Sequence, residues 1–202
     1  MLAKKSGLVT FTFDDGVSKN YTALLDILDA EGIKATFFVI GENLASHNNQ
    51  LMLADAYNRG HTIGNHTWSH CHDTKVSKET FQDELTTTND KIKSITGEDT
   101  YYFRPPYGEI NDTVKQHIID MGYKLILWNV DSQDWNLKRS SEDMLAYYTD
   151  LFAKADSTKS SYIILQHDHR LDSVNLVPQI ASIVKSNGFT IVSMDEYLGT
   201  NN

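Results

Sequence analysis

The sequence predicts an α/β protein built on a mostly parallel sheet of about seven strands. Three observations carry that prediction. Apolar runs of strand length alternate with longer segments of helical periodicity almost from end to end. Several of those runs are too apolar to leave one face in water, as in a sheet covered on both sides. Polar residues suited to chemistry gather where the runs stop. A barrel and an open doubly wound sheet both satisfy this pattern.

The first run, LVTFTF (8–13), ends in two adjacent acids, Asp14 and Asp15, followed by Gly16. Side chains alternate between faces along a strand, so neighbouring acids inside one should point opposite ways. Gly16 marks a strand exit at which the chain can turn and that alternation can lapse. In YTALLDILDAEG, Leu24, Leu25 and Leu28 recur at helical spacing, and Gly32 is a helix stop. KATFFVI (34–40) reads as the second strand, with a helix inside 42–58, and HTIGNH (61–66) as a short third. A long helix follows, capped by Ser77 and closed by Gly97. Then come YYF (101–103), a helix near 111–121, YKLILWNV (123–130) and a helix near 140–154. SYIILQ (161–166), a helix near 173–187 and FTIVSM (189–194) complete the chain. No repeat, low-complexity segment or Pro/Gly/Ser-rich linker interrupts it, so residues 1–202 are expected to form one domain.

The net charge of −9 and pI near 5.2 argue against a nucleic-acid-binding protein. Cys71 is the one cysteine, so no intramolecular disulfide can form. No apolar run approaches the ~20 residues of a membrane-spanning helix. The opening MLAKKSG has charge but no apolar stretch behind it, so it is not an intact signal peptide. An intracellular protein and a mature or trimmed secreted form both fit.

Asp14 and Asp15, His66 and His70, Arg104, Asp131 and Asp134, and His167 all fall at or just beyond the carboxyl ends of predicted strands. That edge is where α/β folds build their sites. HTWSH spaces His66 and His70 so that two imidazoles converge on a metal if the segment is helical or tightly turned. One carboxylate from Asp14 or Asp15 completes a two-His, one-acid set that leaves positions open for water and substrate, as catalytic zinc sites do. The other acid is then free to act as a base on water. Arg104, in FRPPYG, could hold such a carboxylate in place. VDSQDW and ILQHDH supply an acid–histidine pairing in which His167 protonates a leaving group. Cys71 is read as a small buried thiol. His47, His61, His72, His117, Asp168 and His169 are read as surface or loop residues.

TFDDG, HTWSH, RPPY, DSQDW and LQH occur in the order and rough spacing of the polysaccharide deacetylases, the NodB-homology enzymes of carbohydrate esterase family four. The resemblance runs from about residue 8 to 198, and GENL, GHTIGNHTWSH and ILWNVDSQDW look most like the fungal chitin deacetylase branch. It implies a distorted (β/α) barrel of about seven parallel strands and a single catalytic domain over residues 1–202. It implies that Asp15, His66 and His70 ligate a divalent metal, zinc first, with cobalt or nickel as alternatives. By the same resemblance Asp14 is the catalytic base, oriented by Arg104, and the Tyr107 amide helps hold the oxyanion. His167 is the general acid, tuned by Asp134, with Asp131 the alternative partner, and Trp135 and Leu165 wall the pocket for the acetyl methyl. The implied activity is removal of N-acetyl groups from chitin or its oligosaccharides by a secreted or cell-wall enzyme, expected as a monomer. Acetylxylan and peptidoglycan are the alternative substrates. Val17 and Cys71 stand where the family often has proline. A phosphatase-like reading of FTFDDGV fails, because that chemistry needs its two aspartates one residue apart. A binding domain that has lost activity would lack a ligand, base or acid, and none is missing.

Overall fold

The computed structural model describes residues 3–200. In chain order its elements are β1 (Leu8–Gly16), α1 (Tyr21–Ala30), β2 (Thr36–Val39), α2 (His47–Asn58), β3 (Thr62–Asn65), α3 (Lys78–Thr96), β4 (Tyr102–Phe103) and α4 (Asp112–Asp120). They continue with β5 (Lys124–Leu125), β6 (Val130–Asp131), α5 (Ser141–Lys154), β7 (Tyr162–His167), α6 (Leu171–Val174), α7 (Val177–Ser186), β8 (Thr190–Ile191) and α8 (Met194–Leu198). These residues group into two compact units. The first comprises the chain up to Asp14, residues 18–36 and residues from 128 on; the second comprises 15–17 and 37–127.

In the first unit β1 runs parallel to β7, in register from Val9 opposite Tyr162 to Asp14 opposite His167. β8 pairs the start of β1, and β6 pairs β7, both parallel. Leu8 through Phe13 are all buried, so β1 has no wet face, as its apolar run predicts. Its threonines still need partners there, and Thr12 Oγ1 donates to the Ile164 carbonyl at 2.6 Å. α1 buries Tyr21, Leu24, Leu25 and Leu28. Phe152 of α5 meets Tyr162 and Phe189 edge-on at ring separations of 5.4 Å each, which ties that helix to the strand and to the turn before β8. Ser140 and Asp143 form a reciprocal capping box at the start of α5.

In the second unit β2, β3, β4 and β5 lie side by side in that order, with β3, β4 and β5 parallel. Phe81 and Leu85 of α3, Phe103 of β4, and Val114 and Ile118 of α4 form one buried cluster that seats both helices on the strands. Ser77 Oγ accepts from Thr80 N to start α3, and Gly97 ends it at φ 87°. Gly64 lies tight against the Phe38 ring: a Cβ there would stand 2.5 Å from Phe38 Cδ1. The close approach matters because the same ring carries the Arg104 guanidinium, 4.2 Å from its centroid.

Three elements differ from the sequence reading. The run 123–130 is not one strand: β5 pairs β4, β6 pairs β7, and the chain between them leaves the ladder. There the carbonyls of Ile126 and Leu127 accept from Arg104 Nε and Nη2 at 3.2 and 3.4 Å. The expected helix at 173–187 is two, α6 and α7, because Pro178 falls in a first turn and cannot sit in a helix interior. The last strand stops at Ile191, and Ser193, whose Oγ accepts from Glu196 N, opens the short α8 instead. Among the described residues no helix is long and apolar enough to cross a membrane.

Candidate active site

Asp15, His66 and His70, all in the second unit, bring their ligand atoms within 4.8 Å of one another. The two imidazole Nε2 atoms each stand 3.3 Å from Asp15 Oδ1. Donors about 2.0–2.1 Å from a tetrahedral zinc are about 3.3–3.4 Å apart, so the observed edges suit a shared ion. The tautomer suits it too. His66 Nδ1 is 2.7 Å from the Arg104 carbonyl, which can only accept, so Nδ1 holds the proton and Nε2 keeps its lone pair.

The backbone explains how residues so close in sequence converge. Asp15 has φ 65°, so the break in strand alternation falls on the acid itself, one residue earlier than Gly16 suggested. Asn43 Nδ2 holds this exit by donating to the carbonyls of Asp15 and Gly16 at 2.9 and 3.2 Å. The His66–His70 segment is a tight turn rather than a helix, with positive φ at Thr67 and His70. Asn65 Oδ1 accepts from Thr67 N at 2.9 Å at its start, while both Glu84 carboxylate oxygens bind Ser69, from N at 2.7 Å and Oγ at 2.8 Å. Among the described residues, the non-glycine positions with positive φ are Asp15, Thr67, His70, Tyr107 and Gln133, each a candidate residue or the neighbour of one. Such strain persists only where surrounding bonds hold it, and here it marks the site.

Tyr107 also lies in this unit, at φ 60° in the turn Pro106–Gly108. Its ring stacks on His72 at 4.2 Å and 14°, and meets His70 edge-on at 4.6 Å. His72 Nδ1 in turn lies 3.1 Å from Glu109 Oε2, and this hydrogen bond holds the Glu109 carboxyl below the usual range. Arg104 is fully buried, and its donors to Ile126 and Leu127 together with the Phe38 ring fix the guanidinium. Cys71 lies outside the ligand cluster. Burial, then the charges of Glu84 and Asp73, push its thiol up to about 12.

The first unit holds the other candidates. Asp14 is 3% exposed and stands opposite His167 in the β1–β7 register. His167 Nδ1 lies 2.7 Å from Asp134 Oδ1. The second carboxylate oxygen of Asp134 accepts from His167 N at 2.8 Å and Ser173 Oγ at 2.9 Å. A carboxylate on Nδ1 makes that nitrogen the donor of the pair. Asp131 is occupied elsewhere, accepting from Gln133 N at 2.7 Å. Leu165, two positions before His167, is buried, whereas Trp135 is 50% exposed. Asp168, His61 and His117, read as surface or loop residues, are buried instead. Asp168 locks the chain after β1, taking Ser18 N on Oδ2 at 2.8 Å and Asn20 Nδ2 on its carbonyl at 3.0 Å, and burial raises its pKa. Asn43, Glu84, Ser173 and Arg170 carry no signal in the sequence that sets them apart, whereas Asn65, a turn-forming residue directly before His66, opens an Asn-X-Thr site.

The carboxylate–imidazole pair of the first unit and the Asp–His–His cluster of the second each stand at the carboxyl ends of parallel strands, the edge where α/β folds build their sites. The family model for polysaccharide deacetylases matches residues 2–126, more than half of the chain, and the chain belongs to that family. It is 32% identical over 202 residues to the peptidoglycan-N-acetylglucosamine deacetylase PgdA of Listeria monocytogenes, covering 98% of this chain and 40% of that protein. It is 32% identical over 196 residues to a bifunctional xylanase/xylan deacetylase of Cellvibrio japonicus, covering 96% of this chain and 28% of that one. The chain thus spans well under half the length of these two relatives. Among solved structures, the chitin deacetylase of Colletotrichum lindemuthianum matches with a TM-score of 0.93 at 28% identity, covering 100% of this chain and 91% of that one. That likeness establishes the fold as the NodB-type distorted barrel of parallel strands and helices that the motifs implied.

Proposed function

We propose that the protein is a metal-dependent hydrolase that removes N-acetyl groups from N-acetylglucosamine residues of chitin or chitin oligosaccharides, releasing acetate and a free glucosamine unit. The observation that carries this reading is the donor set itself: Asp15, His66 and His70 at ion-sharing separations, next in the chain to Asp14, which is in register with His167. A divalent metal held there, zinc first, would supply Lewis acidity, polarising the acetamide carbonyl and acidifying a water.

The chain's own groups do the rest. Asp14 accepts the proton of the attacking water, with Arg104 orienting it. The Tyr107 amide donates to the oxygen that gains negative charge as the carbonyl becomes tetrahedral. His167, its Nδ1 held by Asp134, delivers a proton from Nε2 to the departing sugar nitrogen as the C–N bond breaks. Leu165 and Trp135 receive the acetyl methyl. A secreted or cell-wall location, where polymeric chitin is met, a monomeric state and one catalytic domain over residues 1–202 belong to the same reading.

The likeness to the Colletotrichum enzyme over the whole chain supports chitin, and the Listeria relative acts on the same sugar in another polymer. The Cellvibrio relative favours a second reading, acetylated xylan, in which an ester replaces the amide. Acetate release from chitin oligomers, peptidoglycan and acetylated xylan, assayed side by side, separates them. The proposal expects the highest kcat/KM on chitin oligomers. A clear preference for acetylated xylan would overturn it.

A further inference from the structure

Residues 132–139, which carry Asp134 and Trp135, leave the β6 ladder through a turn with Gln133 at φ 58°. One side chain from elsewhere ties this segment down. Arg170 Nη1 donates to the carbonyls of Asp134 and Asn136, both at 3.0 Å, and Nη2 to the carbonyl of Arg139 at 3.1 Å. The guanidinium is itself fixed by Asp172: Nε donates to Oδ1 at 3.0 Å, and Nη2 pairs with Oδ2. Three carbonyls spread over six residues and one carboxylate thus share a single planar group, 14% exposed, using the fork of donors that lysine lacks. The clamp is local to the proton-delivering pair. Arg170 precedes α6, and Ser173 of that same turn donates to Asp134 Oδ2 at 2.9 Å. Backbone and side chain of Asp134 are therefore both held by one four-residue stretch, 170–173.

We propose that Arg170 is a positioning residue for leaving-group protonation: it fixes the 134–139 segment so that Asp134 keeps His167 aimed and in the donating tautomer. The proposal rests on the reading of His167 as general acid. It differs from a purely structural role in one consequence. Loosening Asp134 harms only reactions whose leaving group must be protonated. A sugar amine must be; 4-nitrophenolate, a stable anion at neutral pH, need not.

The test compares kcat on an N-acetylated chitin oligomer with kcat on 4-nitrophenyl acetate for wild type, Arg170→Met and Arg170→Lys. Thermal unfolding and bound metal are checked for each. Arg170→Met is expected to lose about 10–100-fold on the oligomer, at most the lower end of what a general acid contributes because His167 itself is kept, and less than about threefold on the aryl ester. Arg170→Lys should fall between, because an ammonium can engage one carbonyl but not three; it also carries the comparison should Arg170→Met fail to fold. A parallel loss on both substrates, or no loss on the oligomer, overturns the clamp. His167→Ala runs alongside. If it splits the two substrates and the Arg170 variants do not, only the clamp falls. If His167→Ala itself shows no split, the general-acid reading fails and the clamp falls with it.

Discussion

Asp14→Asn is expected to lower kcat for acetate release by about 100- to 10,000-fold, the range of a positioned base, while the protein keeps its metal. Asp15→Asn is expected to fail differently, losing more than about 100-fold in metal affinity, since even groups that only orient a ligand are worth 10–100-fold. The two acids are neighbours, yet the backbone gives them different surroundings. Asp14 continues the β1 register opposite His167, and Asp15, at φ 65°, turns its carboxylate onto both imidazoles. Asparagine is the informative replacement at both positions, because it tolerates the left-handed conformation that alanine would strain at Asp15. Metal content by elemental analysis and turnover on chitin oligomers, measured on the same preparations, check the division. Equal metal loss in both variants would count against it.

The second large effect is expected at His167. His167→Ala should cut kcat on an N-acetylated oligomer by about 100-fold or more, with KM changed much less, because an acid acts in the transition state and not in ground-state binding. Asp134→Asn should reproduce part of that loss. The Asp134 carboxylate accepts from His167 Nδ1, His167 N and Ser173 Oγ at once, and an amide replaces one accepting oxygen by a donor. Steady-state kinetics on the two variants tests the pair. An unchanged kcat in His167→Ala would remove it from the mechanism.

The strands and the site were legible to different depths, for physical reasons. β1, β2 and β7 announce themselves because strands buried on both faces must be largely apolar. The break between β5 and β6 could not be read from YKLILWNV, because it depends on a guanidinium that arrives from β4's exit. The division of α6 from α7 was readable, and Pro178 was its signal. At the site, the chemistry-bearing side chains are legible because few residue types can bind a metal or move a proton. The groups that aim them are not. Asn43, Glu84, Ser173 and Arg170 are common polar residues, and their roles come from distant partners that the fold brings to them. The positive φ of Asp15, His70 and Tyr107 is likewise imposed by tertiary contacts, since none of these positions is a glycine.

The most direct test of the central claim is metal reconstitution. Protein stripped with chelator is titrated with zinc, and bound metal and acetate release from a chitin oligomer are followed together, with His66→Ala as the reference. The account predicts that acetate release is absent in the stripped protein, rises in proportion to bound zinc, saturates at one ion per chain, and stays absent in His66→Ala. Full acetate release by metal-free protein would contradict it.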